Sequence, residues 1–352
     1  MNGQTIRTFL SANSSDGFVS YFDEFLKGKM SYVIKGGPGT GKSSFMKKIA
    51  STSVSKGNFT EYIYCSSDPD SLDGVYIHGL ETVFTDGTPP HVMEVKYPGA
   101  TGEIINVGQF LDSEKLLSSK NEILRLNSKF TASYARAYRY LKASACASSE
   151  LRAIGLKYLD SAKMIGYFKN IFEKYSVGKK GSGGKSYIRF LSGISPKGYV
   201  TFKDTIYTLC SEVFVIRDKY GVSSSVLSIL KDKFIDRGFD VYEFRFPLEP
   251  EIISHIAVPE LNIAFVTSDK LTHFDTENGK SVNLNRFMSD DIEFEKKYST
   301  SASKLMKICL EEAIEALRTA KALHDDLEEL YISAMDFAAL DKLTEKYCGK
   351  IM

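Results

Sequence analysis

Gly36-Gly37-Pro38-Gly39-Thr40-Gly41-Lys42-Ser43 is the stretch from which the rest of the chain is read. An apolar run, Tyr32-Val33-Ile34, precedes it. A helical pattern, Ser44-Phe45-Met46-Lys47-Lys48-Ile49-Ala50, follows it. Strand, Gly-rich turn and helix thus come in order, with the spacing G-x-x-x-x-G-K-[ST] filled. Glycines let a backbone wrap closely round a phosphate chain with its N–H groups turned inward. The turn opens on a helix N-terminus, where the dipole favours anions. Gly36, Gly37, Pro38, Gly39, Thr40, Gly41, Lys42, Ser43 and Ser44 are therefore the expected nucleotide-binding residues. Lys42 reaches the β- and γ-phosphates, and the Ser43 hydroxyl is a ligand for Mg²⁺.

The bulk composition sets the frame. The chain has 352 residues, long enough for two domains. It is 43% hydrophobic and 25% charged, as in ordinary globular proteins. A net charge of +1 calls for neither nucleic acid nor an anionic membrane as partner. No apolar run approaches membrane-spanning length, and the first residues lack the apolar core of a signal peptide. The five cysteines are scattered without a C-x-x-C pair, which argues against disulfides and zinc and points to a cytoplasmic setting.

Along the chain, residues 5–11 read as a short strand or an extended arm. Asp16–Gly28 reads as an amphipathic helix, with Phe18, Tyr21, Phe22, Phe25 and Leu26 at helical spacing. Tyr62–Cys65 and Leu80–Thr85 read as strands separated by a polar stretch, Ser66–Gly74. Strands alternating with helices predict an α/β fold with a parallel sheet. Residues 113–174 read as mostly helical, with breaks near Ser148-Ser149 and Gly155.

The chain also repeats itself. Phe9-Leu10-Ser11 returns as Phe190-Leu191-Ser192, and Val33-Ile34-Lys35 as Val215-Ile216-Arg217. Asp68-Pro69-Asp70 returns as Glu249-Pro250-Glu251, and Leu141 and Leu151 align with Leu317 and Leu327. A shared order at near-constant offset predicts a duplicated domain. The expected organisation is a nucleotide-binding domain with a helical extension over 1–177, a Gly/Ser/Lys linker over 178–187 and a degenerate repeat with its own helical extension over 188–352. In the second copy Gly36 is replaced by Asp218, Gly41 by Ser223 and Lys42 by Ser224. An acid at the mouth and no lysine predict a copy without nucleotide. The linker contains G-K-S, but no strand precedes it, so it is no second phosphate site.

Chemistry beside the loop needs carboxylates. Asp86, after an apolar strand and before Gly87-Thr88, is the expected holder of the Mg²⁺ shell; the alternative is a turn-forming Asp-Gly. Asp68, Asp70 and Asp73 cluster after the second strand. Asp68 or Asp70 positions an attacking water or accepts a proton, or else the cluster caps a helix. His91 either meets phosphate or is an ordinary loop histidine. The helical tails are expected to cover the sheets, mate the repeats or bind a protein partner.

Gly17–Asp23, the Gly36–Ser44 loop, Cys65–Gly74, Asp86–His91 and Tyr97–Ala100 together resemble a family of bacterial tandem P-loop ATPases, sometimes labelled nucleotide-kinase-like. The likeness runs over essentially the whole chain and is densest in residues 7–110. It implies two tandem P-loop NTPase-like domains, ATP at Gly36–Ser44, and functional weight on Asp68, Asp70, Asp86 and His91. In that family both halves carry the loop; here only the first does. More broadly, the pattern is similar to RecA/KaiC-type ATPases, which favours Asp68 as the base. The expectation is Mg²⁺-dependent ATP hydrolysis at the first loop beside a silent second copy. A small-molecule or nucleotide kinase, or a non-hydrolysing nucleotide switch, is the alternative.

Overall fold

The computed structural model describes residues 3–90, 92–178, 183–275 and 279–351. The first sheet is built from β1 (Thr5–Phe9), β4 (Met30–Lys35), β5 (Thr60–Tyr64), β6 (Leu72–Ile77), β7 (Thr82–Asp86) and β8 (Gly102–Asn106). A hairpin, β2 (Ser11–Ser14) and β3 (Gly17–Ser20), follows β1. One helical turn, α1 (Phe22–Phe25), leads to β4, and α2 (Lys42–Ser55) leaves the glycine-rich loop. The sheet order is β1-β5-β6-β7-β4-β8. The Tyr32-Val33-Ile34 run puts β4 inside the sheet between β7 and β8, parallel to both, with Val33 and Ile34 fully buried.

The second half repeats this plan. After α3 (Ser113–Ser118), α4 (Lys120–Tyr158) and α5 (Ser161–Tyr175) come β9 (Ser186–Arg189) and the hairpin β10 (Ser192–Ser195) and β11 (Gly198–Thr201). Then follow α6 (Lys203–Leu209), β12 (Glu212–Arg217), α7 (Ser223–Asp236), β13 (Val241–Arg245), β14 (Ile253–Val258), β15 (Ile263–Ser268) and β16 (Gly279–Asn283). Its sheet order, β9-β13-β14-β15-β12-β16, matches the first strand for strand. The chain ends in α8 (Lys296–Ile332) and α9 (Phe337–Cys348).

Three expectations need correction. The sheets are mixed, not parallel: β6 runs antiparallel to β5 and β7, and β14 does the same in the second half. The sequence hides β6 because Asp73-Gly74 looks like a turn. Within the strand, a Cβ at Gly74 would meet Ile63 Cδ1 and Phe84 O at 3.3 Å, so a side chain there would need its neighbours to give by a few tenths of an ångström. The expected helix over Asp16–Gly28 is instead strand β3 and a single helical turn. Gly17, at φ 91°, closes a two-residue hairpin, and Phe18-Val19 continue it as strand. Finally, α4 runs unbroken for 39 residues through Ser148-Ser149 and Gly155.

The long helices α4 and α8 pack antiparallel. Phe130 meets His324 at 5.6 Å, the Ser144 hydroxyl donates to the Met306 carbonyl at 2.9 Å, and Lys157 pairs with Glu295 at 2.9 Å. Small and branched residues form the seam, Ala137 and Leu141 against Leu310, Ala313 and Leu317. Each helix then delivers its end to the other repeat. Met335, Leu340 and Tyr347 join the core of the first sheet with Ile34, Phe45 and Met46. Leu151, Ile154, Met164 and Phe168 join the core of the second with Ile216, Val226 and Phe265. The segments 1–177 and 188–352 are therefore interleaved in space, with their helical tails exchanged.

The repeats also meet directly. Phe9 and Phe190, equivalent positions, exchange backbone hydrogen bonds at 2.9 and 2.8 Å. Arg189 donates to both oxygens of Glu61 at 2.6 and 3.0 Å, with both side chains almost fully buried.

Candidate nucleotide site

The loop between β4 and α2 has the backbone its sequence demands. Gly39 and Gly41 sit at φ 65° and 81°, in the left-handed region that disfavours a side chain. Helix α2 begins at Lys42 and runs 14 residues, so its N-terminal N–H groups face the loop. Thr40 is buried, and its hydroxyl ties to the Gly37 carbonyl at 2.8 Å. Ser43 lies in the first helical turn, where its hydroxyl accepts from Leu72 N at 3.0 Å. Ser44, the next residue, is exposed.

Lys42 and Asp86 come together across the sheet. The register pairs Ile34 with Asp86, so the end of β7 lies directly beside the strand that carries the loop. Lys42 Nζ donates to the Gly37 carbonyl at 2.7 Å and stands 3.6 Å from Asp86 Oδ2. Asp86 Oδ1 accepts from Thr88 N at 2.9 Å and from the Thr88 hydroxyl at 2.6 Å. Their side chains are 10% and 17% exposed. Burial raises the Asp86 carboxyl pKa, Lys42 and Thr88 lower it, and the neighbouring Asp73 raises it again.

The acidic cluster divides. Asp68 holds its own turn: its carboxylate accepts from Asp70 N at 3.2 Å and from the Ser71 hydroxyl at 2.9 Å. That turn reaches the loop through Leu72 and Ser43. The structure does not bring the Asp70 side chain to the loop. It is exposed and paired with Lys197 of the β10–β11 turn. Asp73, by contrast, is buried, accepts from the Ser11 hydroxyl at 3.4 Å and acts electrostatically on Asp86. His91 lies outside the described residues.

Sequence reading missed the lid over the loop. The C-terminal turns of α8 and the start of α9 cover it, although they follow the second sheet. Gly39 N donates to Glu328 Oε1 at 3.2 Å. A Cβ at Gly37 would lie 2.6 Å from the Tyr331 ring, and one at Gly41 would lie 2.5 Å from Leu340 Cδ2. Lys321 Nζ stands 3.5 Å from Asp68 Oδ2 and also pairs with Asp325. His324, Asp325 and Glu328 bring possible ligand atoms within 4.8 Å of one another, but the Lys321 ammonium on Asp325 already answers part of that charge. The near match of the two helical tails signals a repeated helix. It carries no sign that the helices trade sheets.

In the second repeat the equivalent loop is closed from within. Asp218, 3% exposed, accepts from Tyr220 N, Gly221 N and Ser223 N at 3.0, 2.9 and 2.7 Å. Its carboxylate takes up the inward-facing amides of the second loop. The effect is more specific than the expected repulsion at the mouth: the nest already holds an anion. The position of Asp86 is taken by Thr267, whose hydroxyl meets that of Ser223 at 2.9 Å.

Comparison of the chain with protein-family models, with curated proteins and with solved structures returned no match. Among the described residues, no helix is long and apolar enough to cross a membrane.

Proposed function

We propose that the chain binds Mg·ATP at Gly36–Ser43 and hydrolyses it, with the second repeat as a nucleotide-free partner. The observation that carries this reading is Lys42, beside Ser43 at the end of the glycine-rich loop and the start of α2, standing 3.6 Å from the largely buried Asp86. An ammonium, a hydroxyl and a largely buried carboxylate there are what phosphoryl transfer needs for positioning and charge neutralisation. Loop amides and Lys42 bind the phosphate oxygens. Ser43 and Asp86 fit a Mg²⁺ ion: both offer hard oxygen donors, and the raised Asp86 carboxyl, with Asp73 nearby, gains from added positive charge. The ion supplies charge neutralisation between the phosphates. Asp68 is assigned the orientation of the attacking water, from the turn that touches Ser43. The α8–α9 lid covers part of the loop, whose residues other than Thr40 keep some exposure.

Calorimetry with Mg·ATP, followed by product analysis without any added acceptor, tests the reading. ADP and phosphate formed in the absence of an acceptor support hydrolysis. Turnover that appears only with an acceptor overturns it in favour of a kinase. Tight binding with no turnover overturns it in favour of a switch.

A further inference from the structure

Both loops hold a carboxylate on their amides, but the two differ in where it comes from. Asp218 belongs to its own loop, is buried, and takes three amides at once. Glu328 reaches the first loop from α8, takes the single amide of Gly39 at 3.2 Å, and has a side chain 32% exposed. Its backbone is close as well: a Cβ at Gly39 would lie 2.8 Å from the Glu328 carbonyl oxygen. His324 Nδ1, one turn earlier on α8, stands 3.7 Å from Glu328 Oε1, beyond hydrogen-bond distance.

On the ATP reading the Gly39 amide is a donor to the phosphate chain, and it cannot serve a carboxylate and a phosphate oxygen together. Two anions at one donor repel each other. Nucleotide binding must therefore displace the Glu328 carboxylate, and the apparent affinity is reduced by the fraction of molecules in which it is seated. We propose that Glu328 is an affinity-setting residue of the nucleotide site, an internal anion supplied by the second repeat's helix that competes with the phosphate chain for the Gly39 amide. This inference rests on the reading of Gly36–Ser43 as an ATP site. It gives the second repeat a direct role at that site, because α8 carries Glu328 from the sheet of one repeat to the loop of the other. Asp218 is the permanent form of the same contact.

The test is calorimetric titration of the full-length wild type, Glu328→Ala and Glu328→Gln with Mg·ATP and with pyrophosphate, which lacks the base and sugar. Thermal unfolding of each nucleotide-free protein checks the fold. Glu328→Ala is expected to tighten both ligands about tenfold, the size of one charge-assisted hydrogen bond. Glu328→Gln is expected to tighten them less, since its amide oxygen still accepts without the charge. Unchanged or weaker binding in both variants, with the wild type binding normally, overturns the proposal and leaves the ATP reading standing. Absence of ATP and pyrophosphate binding in all three folded proteins overturns the ATP reading, and the role of Glu328 falls with it.

Discussion

Lys42 is held in place by the loop it serves. Its ammonium touches the Gly37 carbonyl at 2.7 Å and stands 3.6 Å from Asp86. Lys42→Ala is expected to weaken Mg·ATP binding at least tenfold, roughly the loss of one or two charge-assisted contacts, with an unchanged circular dichroism spectrum. Asp68→Asn is expected to leave the ATP Kd within about twofold and to lower kcat by roughly 100-fold, in the range of a lost water-positioning group. Unchanged kcat moves that role to another carboxylate. Asp218 makes a separate prediction. Asp218→Ala leaves three amides without their acceptor, two of them buried, which costs about 2 kcal/mol or more on chemical unfolding. It is not expected to create a second ATP site, because Ser224 stands where Lys42 does in the first loop.

At the scale of elements, the exchanged helices set the tolerances. Gly155 of α4 lies against the second loop, where an alanine Cβ would sit 2.5 Å from Tyr220 Cβ and 2.7 Å from Val222 Cγ1. Alanine gains about 1 kcal/mol in helix propensity over glycine. Overpacking costs about 1–3 kcal/mol, and a Cβ neighbour is no flexible tip that can swing away. Gly155→Ala is thus expected to lower the thermal midpoint, whereas an isolated helix would gain; a raised midpoint contradicts the close packing of α4 on the second loop. The same residue shows where sequence reading stops. Gly155 and Ser148-Ser149 look like helix breaks, but one makes room for Tyr220 and Ser148 donates to Glu249 at 2.6 Å. The Gly36–Ser43 turn was legible because its geometry is local: six intervening residues fix strand, turn and helix. Asp86 was legible because β7 announces itself as an apolar strand ending in Asp-Gly. Lys321, Glu328 and Tyr331 were not. An amphipathic pattern tells that a helix face is buried, and says nothing of which sheet buries it. Strand β6 was lost because a buried Asp73-Gly74 pair carries the composition of a turn.

Over the whole molecule, the repeats are joined by an ion pair that water does not reach. Glu61 and Arg189 are buried together, and the Thr8 hydroxyl donates to the same carboxylate at 2.6 Å. Burial alone raises the Glu61 carboxyl pKa, but Arg189, followed by His78, holds it well below the ordinary range. A carboxyl whose pKa is depressed on folding stabilises fully above its unfolded value. The contribution of Glu61 is therefore complete above about pH 4.5 and fades as the pH falls further. Arg189→Ala strips the partner from a buried carboxylate and is expected to cost about 3–5 kcal/mol near neutral pH, with a smaller deficit in acid where Glu61 can take up a proton. Chemical denaturation at pH 7 and pH 4 reads both numbers, and an equal deficit at the two pH values contradicts the assignment.

The proposed function places one ATP site on the chain, built on Lys42, beside a second loop closed by its own Asp218. Calorimetric titration of the wild type and of Lys42→Ala with Mg·ATP addresses it directly. One ATP bound per chain in the wild type and at least a tenfold loss of affinity in the variant are expected. Two equivalents bound, or undiminished affinity without the lysine, would contradict it.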